Sequence, residues 1–218
     1  PTQNFGATVN GAFNSIESTS GGSTAGVATA ITGVANRVAN SNGVLVYGAG
    51  NEITNSSTSF STPGESATSA KDFADKLKTA VTSSNGAGAT MAFGGGNKAD
   101  YTLRTSLIGV NNTVTGVRGD QSKDNLALGI GNTGTKVQHM TAIGSKNTVS
   151  DAKNTIIVGD NRTVTGANHT VILGSSDNGT TTTVNDAVAV GHNTEVSAVG
   201  GAAIGSNSKA TVAAGAVG

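Results

Sequence analysis

The 218-residue chain contains no cysteine and no tryptophan, and it has few proline, aromatic or charged residues. Without cysteine there is no disulfide framework, no thiolate chemistry and no cysteine-based zinc site. Aromatic residues make up 3% of the chain, which is less than a globular core of this length usually contains. The composition therefore predicts a narrow interior built from small aliphatic side chains.

Net charge is also absent, because 13 basic residues balance 13 acidic ones. Nucleic acids and anionic membranes attract proteins through a basic electrostatic field, so we expect neither as a partner. The sequence shows no signal peptide and no apolar run of about 18 residues that would predict a membrane-spanning helix. We expect the chain to be a piece of a longer protein.

Glycine, in contrast, is abundant, with 32 residues, and it marks a repeat. In Met140–Val149 a short apolar run precedes Gly144, Asn147 follows three residues later, and an aliphatic residue comes two positions beyond. Related segments surround Gly159 and Gly174, so the period is 15 residues. This period is too long for a heptad and too short for a helical pair, and it predicts the coils of a parallel β-solenoid. The glycines that align are Gly11, Gly33, Gly48, Gly94, Gly109, Gly129, Gly144, Gly159, Gly174, Gly191 and Gly205.

Each coil is predicted to contain two strands. The residues before the glycine are apolar at consecutive positions, which indicates a strand that is buried on both faces. The second strand alternates, as in Asn147–Ser150, which indicates a strand that buries one face. A two-strand roll covers only one face of its first strand, so we expect three rolls to pack around a common axis as a homotrimer. The positions directly before the glycine should then be buried: Ile143, Val158, Leu173 and Val190. Asparagines recurring in one slot should form a ladder along the stack.

An insertion over residues 54–90 interrupts the repeat. Within it, residues 70–81 place Phe73, Leu77, Ala80 and Val81 on one helical face, with Ser69 as N-cap and Gly86 as a terminator. An isolated helix of this length is marginal in water, so it should dock on the roll or on a neighbouring subunit.

The insertions also supply the candidate receptor-binding residues, because loops on a rigid scaffold are where binding usually resides. The long insertion contributes Phe60, Phe73 and Leu77, since aromatic residues often anchor protein interfaces. A second loop contains the triplet Arg118-Gly119-Asp120. Its guanidinium and carboxylate could both be offered to an integrin-type receptor, with Arg118 and Asp120 as the contacting residues.

The sequence contains no recognisable active site. His139 and His169 occupy equivalent positions two coils apart, about 10 Å by strand spacing, which is too far to share one metal, and His192 lies in a turn. Gly94-Gly95-Gly96 is not followed by the Lys-Ser or Lys-Thr of a phosphate-binding loop. We therefore expect no enzyme activity, cofactor or metal.

The repeat resembles the head domains of trimeric autotransporter adhesins, the YadA-like class. Their head repeat reads approximately Ser-Val-Ala-Ile-Gly, two residues, Ser or Asn, one residue, and Ala or Val. Residues 141–149, 188–196 and 203–210 follow this pattern. The resemblance covers residues 11–218, and neither the family's neck motif nor its C-terminal membrane anchor is recognisable in the chain.

This resemblance implies a left-handed parallel β-roll over residues 1–218, a homotrimer, and a place on the bacterial cell surface. An outer-membrane anchor in the full-length protein would supply the only contact with a membrane. The implied function is non-enzymatic adhesion to a host glycoprotein of the CEACAM or integrin type, or to extracellular matrix such as collagen or fibronectin.

Two other functions of solenoid proteins fit this sequence less well. An ice-binding solenoid presents flat rows of Thr and Ser, but we expect the outward strand to carry Lys98, Arg162, Glu195 and Lys209 instead. A left-handed acyltransferase helix uses a six-residue repeat, and 15 is not a multiple of six.

Overall fold

The computed structural model describes residues 3–19, 24–59 and 67–212. These residues form short strands and one helix. In chain order they are β1 (Thr8–Ala12), β2 (Ser15–Glu17), β3 (Ala30–Val34), β4 (Arg37–Ala39), β5 (Leu45–Ala49), β6 (Glu52–Thr54), α1 (Ala70–Ser83), β7 (Met91–Gly95), β8 (Lys98–Asp100), β9 (Thr102–Val110), β10 (Thr113–Thr115), β11 (Ser122–Ile130), β12 (Thr133–Thr135), β13 (Gln138–Ser145), β14 (Thr148–Ser150), β15 (Lys153–Val158), β16 (Arg162–Thr165), β17 (Thr170–Leu173), β18 (Thr180–Thr182), β19 (Val188–Val190), β20 (Glu195–Val196), β21 (Ala202–Ile204) and β22 (Lys209–Ala210).

The strands stack as two long parallel sheets that run along the chain in coil order. The first sheet contains the 11 odd-numbered strands from β1 to β21, and the second contains the nine even-numbered strands from β2 to β18. The pair β20–β22 forms a separate two-stranded sheet. Repeat positions align without offset, so that Gly129 lies opposite Gly144 and Val149 opposite Val164. The predicted parallel β-solenoid with two strands per coil is confirmed.

The interior between the sheets is filled by one row of side chains from each. In the first sheet the inward position lies two residues before the glycine, as at Ala142, Ile157 and Ile172, and in the second it is the middle residue of the strand, as at Val149 and Val164. Alanine and valine predominate in these rows, because the two sheets leave little room between them.

Ile143, Val158, Leu173 and Val190 are not buried within the single chain, so their burial in a trimer stays a prediction. Side chains alternate across a strand, so the residue before the glycine points away from the interior. Val158 is 41% exposed and Leu173 is 42% exposed, and Ile143 and Val190 are half-buried. Both positions of the strand are apolar, and the sequence pattern could not say which one faces the core.

The backbone conformation and the close packing of neighbouring coils require glycine at the repeated position. Gly144 has φ 130°, in the region that glycine alone adopts readily. A Cβ built on Gly144 would lie 2.0 Å from the carbonyl oxygen of Gly159 in the next coil. The bend after each first-sheet strand therefore packs backbone directly against backbone.

The predicted asparagine ladder is confirmed. The side-chain nitrogen of Asn147 donates to Asn132 Oδ1 at 3.0 Å and to the carbonyl of Gly159 at 2.7 Å. The backbone N–H of Asn147 donates to the same Asn132 oxygen. Each amide therefore satisfies buried polar groups of its own coil and of the coils on either side. The ladder consists of Asn14, Asn36, Asn51, Asn97, Asn112, Asn132 and Asn147.

Arg162 occupies the next slot of the ladder and is fully buried. It was expected on the outward strand, and that expectation is wrong. Its Nε donates to the carbonyl of Gly174, and its terminal nitrogens donate to the carbonyls of Ser175, Gly191 and Thr194 and to the Thr194 hydroxyl. The long side chain spans a coil that has no asparagine in this slot, and burial lowers the pKa of the guanidinium.

Helix α1 begins and ends with local capping. The Ser69 side chain accepts a hydrogen bond from the N–H of Asp72, as predicted. At the other end the N–H of Asn85 donates to Thr82 and the N–H of Gly86 donates to Val81, which is a Schellman arrangement. Asn85, with φ 61°, takes the left-handed position, so the helix continues two residues past the predicted Val81.

Candidate functional site

Helix α1 packs against the N-terminal segment of the chain. The rings of Phe73 and Phe5 have centroids 4.3 Å apart, and Leu77 lies against Gly6. Both helix side chains are half-buried, whereas Lys78 and Thr79 on the opposite face are exposed. The predicted docking of the helix on the body of the chain is confirmed. Phe60, the third residue assigned to this surface, lies outside the described residues.

Residues at both ends of the predicted insertion, 54–90, pack into the coils. Ser56 and Thr90 are fully buried and their hydroxyls each lie within hydrogen-bond distance of Thr102. These residues complete coils of the roll. Between these two ends lies helix α1, which belongs to neither of the long sheets.

The triplet Arg118-Gly119-Asp120 forms a tight turn between β10 and β11. Val117 and Asp120 exchange two backbone hydrogen bonds, each of 3.0 Å, and Gly119 has φ 88°. All three residues of the triplet are exposed. The turn therefore holds Arg118 and Asp120 in a fixed relation at the surface of the molecule.

A polar hollow of about 280 Å³ lies beside this turn. Three of its residues, Asn40, Asn55 and Tyr101, follow the second-sheet strands of successive coils and share a left-handed backbone with φ near 50°. Their backbone N–H groups donate to the carbonyls of Glu17, Ala39 and Thr54 in the preceding coil. These hydrogen bonds between coils fix their positions. The residues that line the hollow are Asn40, Asn55, Ser57, Tyr101, Arg118 and Gln121.

Sequence reasoning identified only Arg118 of this group. The asparagines at positions 40 and 55 are 15 residues apart, and Tyr101 takes the same place after the insertion. That periodicity was the available signal. It was missed because these positions lie after the second strand, outside the glycine-centred pattern.

The outward face of the second sheet has two chemically distinct halves. At the N-terminal end Arg37 lies between Glu17 and Glu52, at 2.9 and 2.8 Å, and Glu52 also pairs with Lys98. The Arg37 guanidinium holds the pKa of Glu17 below its ordinary value. From β10 onward the outward positions are hydroxyl-bearing: Thr113, Thr115, Thr133, Thr135, Thr148, Ser150, Thr163, Thr165 and Thr181.

Another group of polar residues lies near the start of the first-sheet strands. Arg104 donates to Asp124 at 2.5 and 3.0 Å, and His139 lies 3.6 Å from the same carboxylate. The Arg104 guanidinium holds the pKa of Asp124 below its ordinary value. His169 pairs with Asp186 and His192 with Asp177. Within the described ranges, no group of three or more histidine or acidic residues is placed to hold a metal ion.

Comparison with protein-family models, with curated proteins and with solved structures found no match. Across the part of the chain that the structure describes, no helix has both the length and the apolar character needed to cross a bilayer.

Proposed function

We propose that the chain is the head of a homotrimeric bacterial surface adhesin, a left-handed β-roll that binds a host surface glycoprotein or matrix protein without catalysis. The observation that carries the proposal is the outward face of the first sheet. Large aliphatic and aromatic side chains follow one another along this face, which makes it an extended apolar surface of the kind that marks a protein interface. We call it the apolar face: Leu45, Tyr47, Ile108, Leu128, Ile156, Val158, Leu173 and Ile204.

Other copies of the chain are the occupant that best fits the apolar face. The side chains repeat at the strand spacing of about 4.8 Å, so a second identical roll offers a matching series of ridges and gaps. A closed symmetric assembly also hides every copy of the face at once. Three rolls around one axis satisfy both conditions and place the second sheets and the loops outside.

Adhesion then depends on what the outer surface presents. The stretch 54–90 interrupts the repeat pattern of the sequence and is therefore free to vary, and a trimer carries three copies of it. Three weak contacts on one body add avidity to a single weak affinity. We propose that this stretch makes the main contact with a CEACAM-type or integrin-type receptor or with matrix protein such as collagen or fibronectin. The contact would use Phe60 and the parts of Phe73 and Leu77 that stay exposed beside the N-terminal segment.

The test replaces residues 60–84 by a short Gly/Ser turn, which spares the buried Ser56 and Thr90. The variant should retain its assembly state and its thermal unfolding transition, and it should bind host cells at least about tenfold more weakly, equivalent to about 1.4 kcal/mol. Lys78→Ala in the exposed face of α1 is the matched control for local disturbance. Unchanged cell binding by the folded deletion variant would assign adhesion to another surface.

The threonine half of the second sheet favours ice binding as a second candidate. Arg162 is buried, and Glu195 and Lys209 belong to the separate sheet of β20 and β22, so they do not interrupt the hydroxyl rows. Neighbouring hydroxyls repeat at about 4.8 Å across strands and about 6.7 Å along them. A thermal-hysteresis measurement decides: ice shaping that is lost in Thr148→Lys would support this candidate, and no hysteresis would exclude it.

A further inference from the structure

We propose that the polar hollow beside the Arg118 turn binds an acidic sugar, with Arg118 on the carboxylate and the surrounding amides and hydroxyls on the ring hydroxyls. The inference rests on the proposed adhesin function and names the chemistry of one receptor contact. The hollow of about 280 Å³ is close to the lower end of the range for small-molecule sites, roughly 300 Å³. It accommodates a sugar ring more readily than a folded epitope.

The guanidinium of Arg118 differs from those of the other three arginines. Arg37 binds Glu17 and Glu52, Arg104 binds Asp124, and Arg162 binds backbone carbonyls. Among residues 3–19, 24–59 and 67–212, no carboxylate lies within ion-pair distance of Arg118. Its planar fork is therefore available for a carboxylate from outside the molecule, which it can bind through two parallel hydrogen bonds.

The other lining residues suit the neutral part of a sugar. The side chains of Asn55, Ser57 and Gln121 each contain both a donor and an acceptor, and adjacent ring hydroxyls require both. Tyr101 adds a phenolic hydroxyl and an aromatic ring, which can lie against the C–H groups of a sugar.

The amides are held in place before any ligand arrives. The side-chain nitrogen of Asn55 donates to Asp100 at 2.8 Å, and its oxygen accepts from Asn40 at 3.3 Å. Their backbone N–H groups are also hydrogen-bonded to the preceding coil. A prearranged site loses little conformational entropy on binding.

The lining also argues against other ligands. Among the described residues, Arg118 is the only cationic one that lines the hollow, so a polyphosphate would be poorly neutralised. The part of the lining that the structure describes contains no aliphatic side chain, which disfavours a lipid chain. Asp120 does not line the hollow either, whereas integrin-type recognition of the triplet would use the guanidinium and the carboxylate together. The guanidinium of Arg118 therefore belongs to the hollow, and the carboxylate of Asp120 does not.

The test titrates the 218-residue protein with the methyl glycoside of N-acetylneuraminic acid, followed by amide chemical-shift changes. Saturable binding in the millimolar range is expected, with shifts centred on Tyr101 and Gln121. Arg118→Gln should weaken binding by at least about tenfold, because it keeps an amide but removes the charge. Asp120→Asn, in the same turn, should bind like the parent, and neutral methyl galactoside should bind at least about tenfold more weakly than the acidic sugar.

Three results would overturn the inference: no saturable shifts with the acidic sugar, unchanged affinity in Arg118→Gln, or equal affinity for methyl galactoside. A loss of cell binding in Asp120→Asn as large as in Arg118→Gln would assign the turn to an integrin-type receptor instead. Failure of the sugar titration while the parent still adheres to host cells would reject the sugar site alone. Failure of both would reject the adhesin function as well.

Discussion

At the scale of single residues, the glycine and asparagine slots determine the fold most directly. Both were predictable, because each recurs at the same place in a 15-residue period and each has a backbone or hydrogen-bonding reason to do so. The burial of Arg162 was not predictable from the same pattern. It stands in an asparagine slot, but nothing in the local sequence shows that its side chain reaches carbonyls up to 32 residues further along the chain.

We expect Gly144→Ala to destabilise the fold strongly. The added Cβ would meet the Gly159 carbonyl at 2.0 Å, and φ is 130°. A loss of about 3 kcal/mol or more should follow, which lowers the Tm by roughly 6 °C or more for a chain of this size. Gly131 is the matched control, because it has φ 65° and nothing within 4 Å of an added Cβ. Gly131→Ala should cost only about 1 kcal/mol, and equal Tm shifts for the two variants would contradict the account.

A second prediction concerns Arg162. Arg162→Met keeps much of the side-chain volume but removes the hydrogen bonds to the buried carbonyls of Gly174 and Thr194. The carbonyls of Ser175 and Gly191 also lose a donor, but each keeps a second one. Relief of the buried charge offsets part of this cost, and we expect a net loss of about 3 kcal/mol in urea unfolding. Arg37→Met removes a cation that is 43% exposed, and the expected loss is below about 1 kcal/mol. The reverse order would show that the buried hydrogen bonds are unimportant.

At the scale of elements, the start of α1 was predictable and its end was not. Ser69 is a strong N-cap, whereas the helix passes Val81 because Asn85 supplies the left-handed residue that Gly86 was expected to supply. The inward face of each first-sheet strand was not predictable either. Two consecutive apolar positions carry no information about which one points inward. In the structure the inward position is often alanine, because the space between the sheets is narrow.

The ion pairs at the start of the first-sheet strands predict an acid-sensitive stability. The pKa of Asp124 is lower in the folded chain than in the unfolded one, because Arg104 donates to its charged form. Its contribution is therefore present above the unfolded value near pH 4 and is lost as the pH falls through the folded value. The Tm of the parent should fall from about pH 5 to about pH 2.

Asp124→Asn should flatten this acid dependence, and its Tm should approach that of the parent at the lowest pH. Asp120→Asn is the control, since no ion pair of Asp120 is present among the described residues, and it should follow the parent curve. An Asp124→Asn curve parallel to that of the parent would contradict the assignment of the acid-labile stability to this pair.

At the scale of the whole molecule, the solenoid was predictable because the glycine-centred pattern recurs about every 15 residues. The polar hollow was not, because it combines residues from separate coils with a turn, and their meeting depends on the register of the stack. The apolar face was inferable as a consequence of consecutive apolar residues. Its extent along the first sheet became clear only with the positions of the side chains.

Sedimentation equilibrium of the parent and of Val158→Asp tests the central claim that copies of the chain cover the apolar face. The parent should sediment at three times the mass of the chain at micromolar concentration. Val158→Asp should sediment as a single chain, because trimer formation would bury an unpaired charge. Thr163→Asp, on the outward face of the second sheet, should stay trimeric. A parent that sediments as one chain, or a Val158→Asp variant that stays trimeric, would contradict the account.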